Sequence, residues 1–115
     1  MRPKGRRPKY RIVGKEPKIS QFSPRGRAGR PDEVELKTDQ FEALRLADFE
    51  RLSQKEAAVS MHISQQTFSR ILKKARRAIA DGLVHGKIIR IQGGYYVIRN
   101  QRNLQPILEP KASQK

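Results

Sequence analysis

The 115-residue chain has no cysteine, only 11 acidic residues and no long apolar run. Without cysteine it forms neither a disulfide framework nor a thiolate metal site, and nothing requires an oxidising compartment. No apolar stretch approaches the roughly 18 residues of a membrane span, and no apolar segment of a secretion signal follows the basic N-terminus. We therefore expect a cytoplasmic protein that does not enter a membrane.

The sequence also lacks the patterns of side chains that are typical of an active site or a metal site. His62 and His85 lack the acidic or thiol companions of a metal site, and no glycine-rich loop follows a predicted strand. The carboxylates from Asp32 to Glu50 surround a predicted helix start, where the helix dipole explains them without chemistry. We predict that the protein is not an enzyme and has no metal or cofactor.

Positive charge is what the chain has in excess, with a formal net charge of +15. In a chain long enough for only one small domain with tails, this charge indicates a polyanionic partner, for which nucleic acid is the default candidate. The charge is uneven, since residues 1–31 hold 11 cations and one acid, whereas residues 32–52 hold three cations and seven acids. The acidic block is therefore a distinct unit that repulsion would keep away from DNA.

Residues 1–31 combine proline, glycine and cations with few apolar side chains, a composition typical of an extended arm. The tripeptide Gly29–Pro31 resembles the core of an AT-hook, which lies in a narrow minor groove, and Lys4–Lys9 is a looser version. Three residues are a weak signal, so a flexible phosphate-binding tail is the preferred interpretation and the AT-hook is the alternative. The predicted contacts of the arm with the minor groove or backbone are Arg6, Arg7, Arg27 and Arg30. We expect the remaining chain to fold without the arm, unless residues 10–13 pair with the strands predicted below.

Residues 32–84 are predicted to form three helices. The first follows Thr38, a predicted N-cap, and carries an apolar stripe that includes Phe41 and Leu44 and is widened by Phe49. Ser53 and Glu56 form an S-x-x-E capping box, so a short second helix begins at residue 54. After a turn of about three residues, Ser64 caps a third helix that starts at residue 65, with a plausible stop at residue 82.

The third helix has an apolar face and an opposite face that changes character along its length. With 100 degrees per residue from Phe68, residues 71, 72, 75 and 79 fall within about 60 degrees of it, and residues 66, 70, 73 and 77 lie opposite. A short helix, a turn and a longer amphipathic helix are typical of a helix-turn-helix, whose recognition helix enters the major groove by its N-terminal end. The predicted base-reading residues are Gln65, Gln66, Ser69 and Arg70. The predicted phosphate-binding residues are Ser64, Thr67, Lys73, Lys74 and Arg77.

The segment KIIRIQGGYYVIR alternates around Gly93 and Gly94, which predicts a β-hairpin over residues 85–99. The hairpin is either a wing that reaches the minor groove through Arg90 and Arg99 or a lid on the helical core, and Tyr95 and Tyr96 either stack on bases or pack internally. Residues 100–115 are predicted to be a flexible tail. The predicted fold is mainly α: a three-helix helix-turn-helix domain with a C-terminal β-hairpin and a basic extended N-terminal arm.

The runs LADFERLSQKEAA and SQQTFSRIL closely resemble the uncharacterised protein family 0251, small prokaryotic proteins predicted to bind DNA. The likeness takes in RPKGRRPK and PKISQFSPRG as well, and is more distantly similar to sigma-factor region four. It implies a helix-turn-helix and DNA binding but no activity or target. Family members often carry glycine where Arg51 or His62 stands, so we expect His62 to occupy a turn position with positive φ; a cysteine often found near Gly5 is missing.

Two classes of function remain after this reasoning. A sequence-specific transcription regulator accounts for the amide-rich start of the third helix, whereas a general nucleoid-type or RNA-binding protein accounts for the basic tails but leaves residues 65, 66 and 70 without a reason to be exposed together. The first class is our prediction, with double-stranded DNA as the partner. The sequence leaves open whether the protein forms a homodimer.

Overall fold

A computed structural model describes residues 10–26, 28–29, 31–99 and 104–105, so the predicted arm contacts Arg6, Arg7, Arg27 and Arg30 lie outside the described residues. None of the helices in these ranges is both long and apolar enough to cross a membrane. The elements are β1 (Arg11–Val13), β2 (Gln21–Phe22), β3 (Glu33–Leu36), α1 (Thr38–Leu44) continuing as a π-helical segment (Arg45–Phe49), α2 (Gln54–Met61), α3 (Gln65–His85), β4 (Ile88–Ile91), β5 (Tyr96–Arg99) and β6 (Leu104–Gln105).

The helix starts follow the local capping signals. The Glu56 N–H donates to Ser53 Oγ at 3.0 Å, and the Ser53 N–H donates to Glu56 Oε1 at 2.9 Å, which confirms the capping box of α2. Ser64 caps α3 by accepting the Thr67 N–H at 3.0 Å, as predicted. The first helix starts one residue earlier than predicted, because Lys37 and not Thr38 is its N-cap.

The third helix continues past the predicted stop at Gly82 and ends at His85, followed by Gly86 with φ 64°. Gly82 is buried inside the helix, and a Cβ at this position would lie 2.5 Å from Ile89 Cγ1. Its role is close packing against β4 and not termination. With 21 residues, α3 is about 31 Å long.

Two hydrophobic clusters lie along α3. The first joins Ala43, Leu46, Ala57, Ala58 and Met61 from the preceding helices to Phe68, Ile71 and Leu72. The second joins Ala75 and Ala78 to Leu36, Ile89 and Ile91 of the strands. Phe68 is fully buried, which confirms the predicted core face of α3.

The prediction of a mainly α fold with a C-terminal hairpin is wrong, because the strands form two three-stranded sheets ordered β1-β5-β6 and β2-β4-β3. β4 is flanked by β2 on one side and β3 on the other, so neither edge is open to β5. The chain after β4 instead runs along the start of the first helix, where the Thr38 N–H donates to the Gly93 carbonyl at 3.0 Å. The two predicted hairpin strands therefore belong to different sheets.

The described part of the N-terminal segment supplies one strand to each sheet. β1 pairs in parallel with β5, and β2 pairs antiparallel to β4. Ile12 and Val13 of β1 are buried. At the other end, residues 104–105 of the predicted tail form β6 and pair with β5. The chain segments before and after the helices are therefore joined through the sheet β1-β5-β6.

Phe49 was predicted to widen the buried stripe of the first helix, but it is 79% exposed. It ends the π-helical segment, in which the Glu50 N–H donates to the Arg45 carbonyl at 2.8 Å, five residues earlier. A π-helical turn contains an additional residue, so it changes the direction in which the following side chains point. The segment places Phe49 outside the buried stripe that includes Leu46.

Candidate nucleic-acid interface

The second and third helices are joined by the three residues His62–Ser64. His62 has φ 57° and ψ 44°, as predicted for a residue type that tolerates the left-handed region. The turn is closed by hydrogen bonds from the His62 N–H to the Val59 carbonyl at 3.1 Å and from the Ile63 N–H to the Ala58 carbonyl at 3.0 Å. The two helices then pack through the first hydrophobic cluster. A short turn between two packed helices is one feature of a helix-turn-helix.

The four predicted base-reading side chains lie in the first two turns of α3. Gln65, Gln66, Ser69 and Arg70 are all exposed. Phe68, which lies between them in sequence, and Ile71, which follows Arg70, are buried in the core. Burial of the intervening side chains fixes the rotation of the helix, so the amides and the guanidinium of Arg70 point to solvent together.

Two predicted phosphate-binding residues bond to each other at the start of α3. Ser64 Oγ accepts the Thr67 N–H and donates to Thr67 Oγ1 at 2.9 Å. Since the Ser64 hydroxyl proton is used in this bond, the Thr67 hydroxyl remains the donor that can reach a phosphate. Ser64 therefore holds Thr67 in place, and the Thr67 hydroxyl keeps its own proton to donate.

Three predicted phosphate-binding cations follow on the next turns. Lys73, Lys74 and Arg77 are exposed. Within the described ranges they line one groove of about 420 Å³ that also includes Glu35, Gln40 and Asp81. No hydrogen bond or ion pair joins these three cations to another described residue. They are available to an anionic partner.

Arg76 lies between these cations in sequence, but it has a different role. Its Nη2 lies 2.7 Å from Asp48 Oδ1 and its Nε lies 3.2 Å from Asp48 Oδ2, so it joins α3 to the π-helical segment. The hydrogen bond from Arg76 lowers the pKa of Asp48. Sequence reasoning missed this pair, although Arg76 lies towards the apolar side of the helix at the 100-degree spacing.

One of the two carboxylates in this groove, Asp81, is neutralised by cations of its own. Asp81 accepts hydrogen bonds from Lys87 Nζ at 3.0 Å and pairs with His85 Nδ1 at 2.7 Å. The bond from Lys87, and then the one from His85, lowers the pKa of Asp81. The exposed face of α3 from residue 65 to residue 77 carries no acid.

The side chains considered for a DNA-contacting wing have structural partners. Arg90 binds Glu33 and donates to Gln21 Oε1 at 2.7 Å across the sheet. Arg99 Nη2 donates to the Ser60 carbonyl of α2 at 2.7 Å. Tyr95 stacks on Tyr10 with ring centroids 4.3 Å apart, and Tyr96 is buried. Arg90 thus connects strands of one sheet, and Arg99 connects β5 to α2. In the part of the chain described, no group of three or more His, Asp or Glu side chains is arranged to hold a metal ion.

Comparisons with known proteins identify relatives over most of the chain. A family model described as "Protein of unknown function DUF134" matches residues 1–99. A UPF0251 protein of Caldicellulosiruptor bescii is 52% identical over 84 residues, which cover 73% of this chain and 59% of the relative. A UPF0251 protein of Methanosarcina acetivorans is 50% identical over 97 residues, covering 84% and 57%. The chain thus spans about six tenths of the length of these relatives.

No solved structure matches the chain. The likeness to sigma-factor region four therefore stays a prediction.

Proposed function

We propose that this chain, which belongs to the UPF0251 family, is a cytoplasmic, non-enzymatic protein that binds double-stranded DNA as a sequence-specific transcription regulator, with α3 in the major groove. The observation that supports this most is the exposed face of α3. It carries amides and Arg70 in its first two turns and Lys73, Lys74 and Arg77 beyond them, without an acid between. The proposal assigns base reading to the first group and phosphate binding to the second.

This division follows from what each side chain can recognise. A glutamine amide can bond N6 and N7 of adenine, and an arginine can bond O6 and N7 of guanine, so each discriminates between bases by about 1–3 kcal/mol. Lysine and arginine on phosphates release counterions and add affinity that does not depend on sequence. A recognition helix brings its N-terminal residues to the base edges, which is the order observed along α3.

Replacing Gln66 with Ala is expected to relax base preference at one position while leaving the salt dependence of binding unchanged. The amide neutralises no phosphate, so its loss removes discrimination of about 1–3 kcal/mol and no counterion release. Binding of a selected site and of single-base variants is measured at several salt concentrations. An altered salt slope with intact preference would contradict base reading by Gln66.

Replacing Arg77 with Ala is expected to weaken binding to all DNA sequences alike. One lost phosphate contact reduces the slope of log affinity against log salt by about 0.9. Arg76→Ala is the matched control, because Arg76 is the adjacent arginine but already pairs with Asp48; its slope should stay near that of the unmodified protein. Equal slope changes in the two variants would remove the assignment of Arg77.

The ratio of specific to non-specific DNA affinity distinguishes a sequence-specific regulator from a general nucleic-acid-binding protein. Affinity for the best DNA site, found by selection from random sequences, is compared with affinity for bulk random DNA at one physiological salt concentration. Specific binders typically show ratios of about 10³ or more. A ratio near one would leave the general binder as the function, and double-stranded RNA bound as tightly as DNA would indicate an RNA partner.

A further inference from the structure

A wide apolar groove lies on the side of the molecule formed by α1, its π-helical extension, the last turns of α3 and the sheet β2-β4-β3. It has a volume of about 720 Å³ and includes Phe22, Leu44, Phe49, Ile79, Leu83 and Ile91 in its lining. Three of these side chains are largely exposed: Phe49 at 79%, Leu83 at 73% and Phe22 at 54%. Contiguous exposed apolar surface of this kind marks an interaction site.

We propose that this groove is the contact surface between two copies of the chain. Phe49 forms part of the groove and also projects from it, so the same face carries a protruding aromatic ring and an apolar recess. A two-fold interface requires such self-complementarity, because each copy must offer its partner the surface that it receives. Placing Phe49 of each copy in the groove of the other satisfies that condition.

The charges beside the groove favour a second copy over a strongly charged partner. Arg45 and Asp48 are part of the lining, Arg45 pairs with Glu50, and Asp48 pairs with Arg76. Arg45 also pairs with the buried Glu42, so this group has two cations and three acids and a formal charge of −1, although the whole chain carries +15. Two like-charged chains therefore approach with little repulsion on this face, whereas a polyanion would be attracted to the cations on the other side of α3.

The exposed apolar area is also of the right size. Because an aromatic side chain buries about 150–250 Å² when fully covered, the exposed parts of Phe22, Phe49 and Leu83 together offer on the order of 400 Å². A standard interface buries about 800 Å² per partner, with an apolar centre and a polar rim. The three side chains are enough for that centre, and the two salt bridges would form part of the rim.

This surface is separate from the proposed DNA-binding face. At 100 degrees per residue, Leu83 and Ile79 lie within about 60 degrees of Phe68 around α3, whereas Arg70 and Arg77 lie on the opposite side. A dimer formed through the groove leaves both recognition helices uncovered. The proposal does not depend on DNA binding, since the oligomeric state of the free protein tests it directly.

The test measures the molar mass of the full-length protein by analytical ultracentrifugation at micromolar concentrations, for the unmodified chain and for Phe49→Glu and Val59→Glu. Val59 is the matched control, because it is 68% exposed but lies on α2 outside the groove. We expect the unmodified protein and Val59→Glu to reach twice the chain mass of 13.3 kDa. Phe49→Glu is expected to raise the dimer dissociation constant about 30-fold or more, as for an interface hot spot.

Circular dichroism of Phe49→Glu should match that of the unmodified chain, because an exposed side chain contributes little to the monomer fold. Leu83→Glu, on α3, is a second variant that should weaken the dimer if Phe49→Glu unfolds. A monomeric unmodified protein would overturn the proposal, and so would a dimer that neither groove variant weakens. If the unmodified protein is a monomer that binds DNA, only the proposed dimer contact is wrong. If it is a dimer without affinity for DNA, only the proposed function is wrong.

Discussion

Deleting residues 1–31 is expected to unfold the protein and not merely to weaken its binding. The deletion removes β1 and β2, and with them the buried side chains of Ile12 and Val13. Each buried aliphatic side chain contributes about 1.5–3 kcal/mol, and small domains have only about 5–15 kcal/mol of total stability. The lost burial, together with the exposed edges of β4 and β5, is therefore comparable to the whole free energy of folding.

Circular dichroism and thermal unfolding measure this result, and deletion of residues 1–9 is its matched control. The shorter deletion removes five of the cations but no residue of β1, which begins at Arg11. It should leave the helical signal and melting temperature unchanged and give a shallower salt dependence of DNA binding. A helical, cooperatively melting protein that lacks residues 1–31 would show that the two sheets do not support the helices.

The helix starts are the part of the fold that the sequence predicts well. The starts of α2 and α3 depend on Ser53 and Ser64, whose hydroxyls bond amides three residues away. Such signals are local and were predicted correctly. The exposure of the face from Gln66 to Arg77 follows from 3.6-residue periodicity over many turns, which is the most reliable sequence pattern.

The sheets could not be predicted in the same way. β1 and β2 have three and two residues, too few for an alternating pattern to be recognised. The Cα partner of Ile12 is Val97, far along the chain, so no local signal identifies it. β3, with the sequence EVEL, did alternate between exposed and inward-facing residues. Its acids were instead attributed to the following helix start.

The candidate site was incompletely predicted for a similar reason. Arg76 has the same residue type as Arg70 and Arg77, and its place nearer the apolar side of the helix did not reveal its partner, Asp48 on the π-helical segment. That segment departs from the regular helical period, so neither the pairing of Asp48 nor the exposure of Phe49 followed from an ideal helix. The π-helical segment thus places Phe49 on the proposed dimer surface, whereas Leu46 of the same segment lies in the core.

Glu42 is the second position at which we expect a large effect. It is 1% exposed, and its carboxylate binds Arg45 through both oxygens, from Nε to Oε1 and from Nη2 to Oε2, each at 2.8 Å. Oε2 also accepts the Gly14 N–H at 2.9 Å. Donating these hydrogen bonds to Glu42 raises the pKa of Arg45. One buried carboxylate therefore connects the chain just after β1 to α1 and to the start of the π-helical segment.

Glu42→Ala is expected to reduce the free energy of unfolding by about 3–5 kcal/mol, because it removes the hydrogen bonds of Arg45 to a buried carboxylate, which contribute about 1.5–3 kcal/mol, and leaves a small cavity in their place. Arg45 keeps only its contact with the more exposed Glu50. The Gly14 N–H would lose its acceptor as well. Glu50→Ala is the control: Glu50 also contacts Arg45, at 3.2 Å, but its side chain is 45% exposed, and exposed pairs contribute about 0–1 kcal/mol. Urea unfolding followed by circular dichroism measures both. Similar losses in the two variants would mean that the buried carboxylate does not hold the N-terminal strand to the helices, because the two glutamates differ chiefly in burial and in the bond to Gly14.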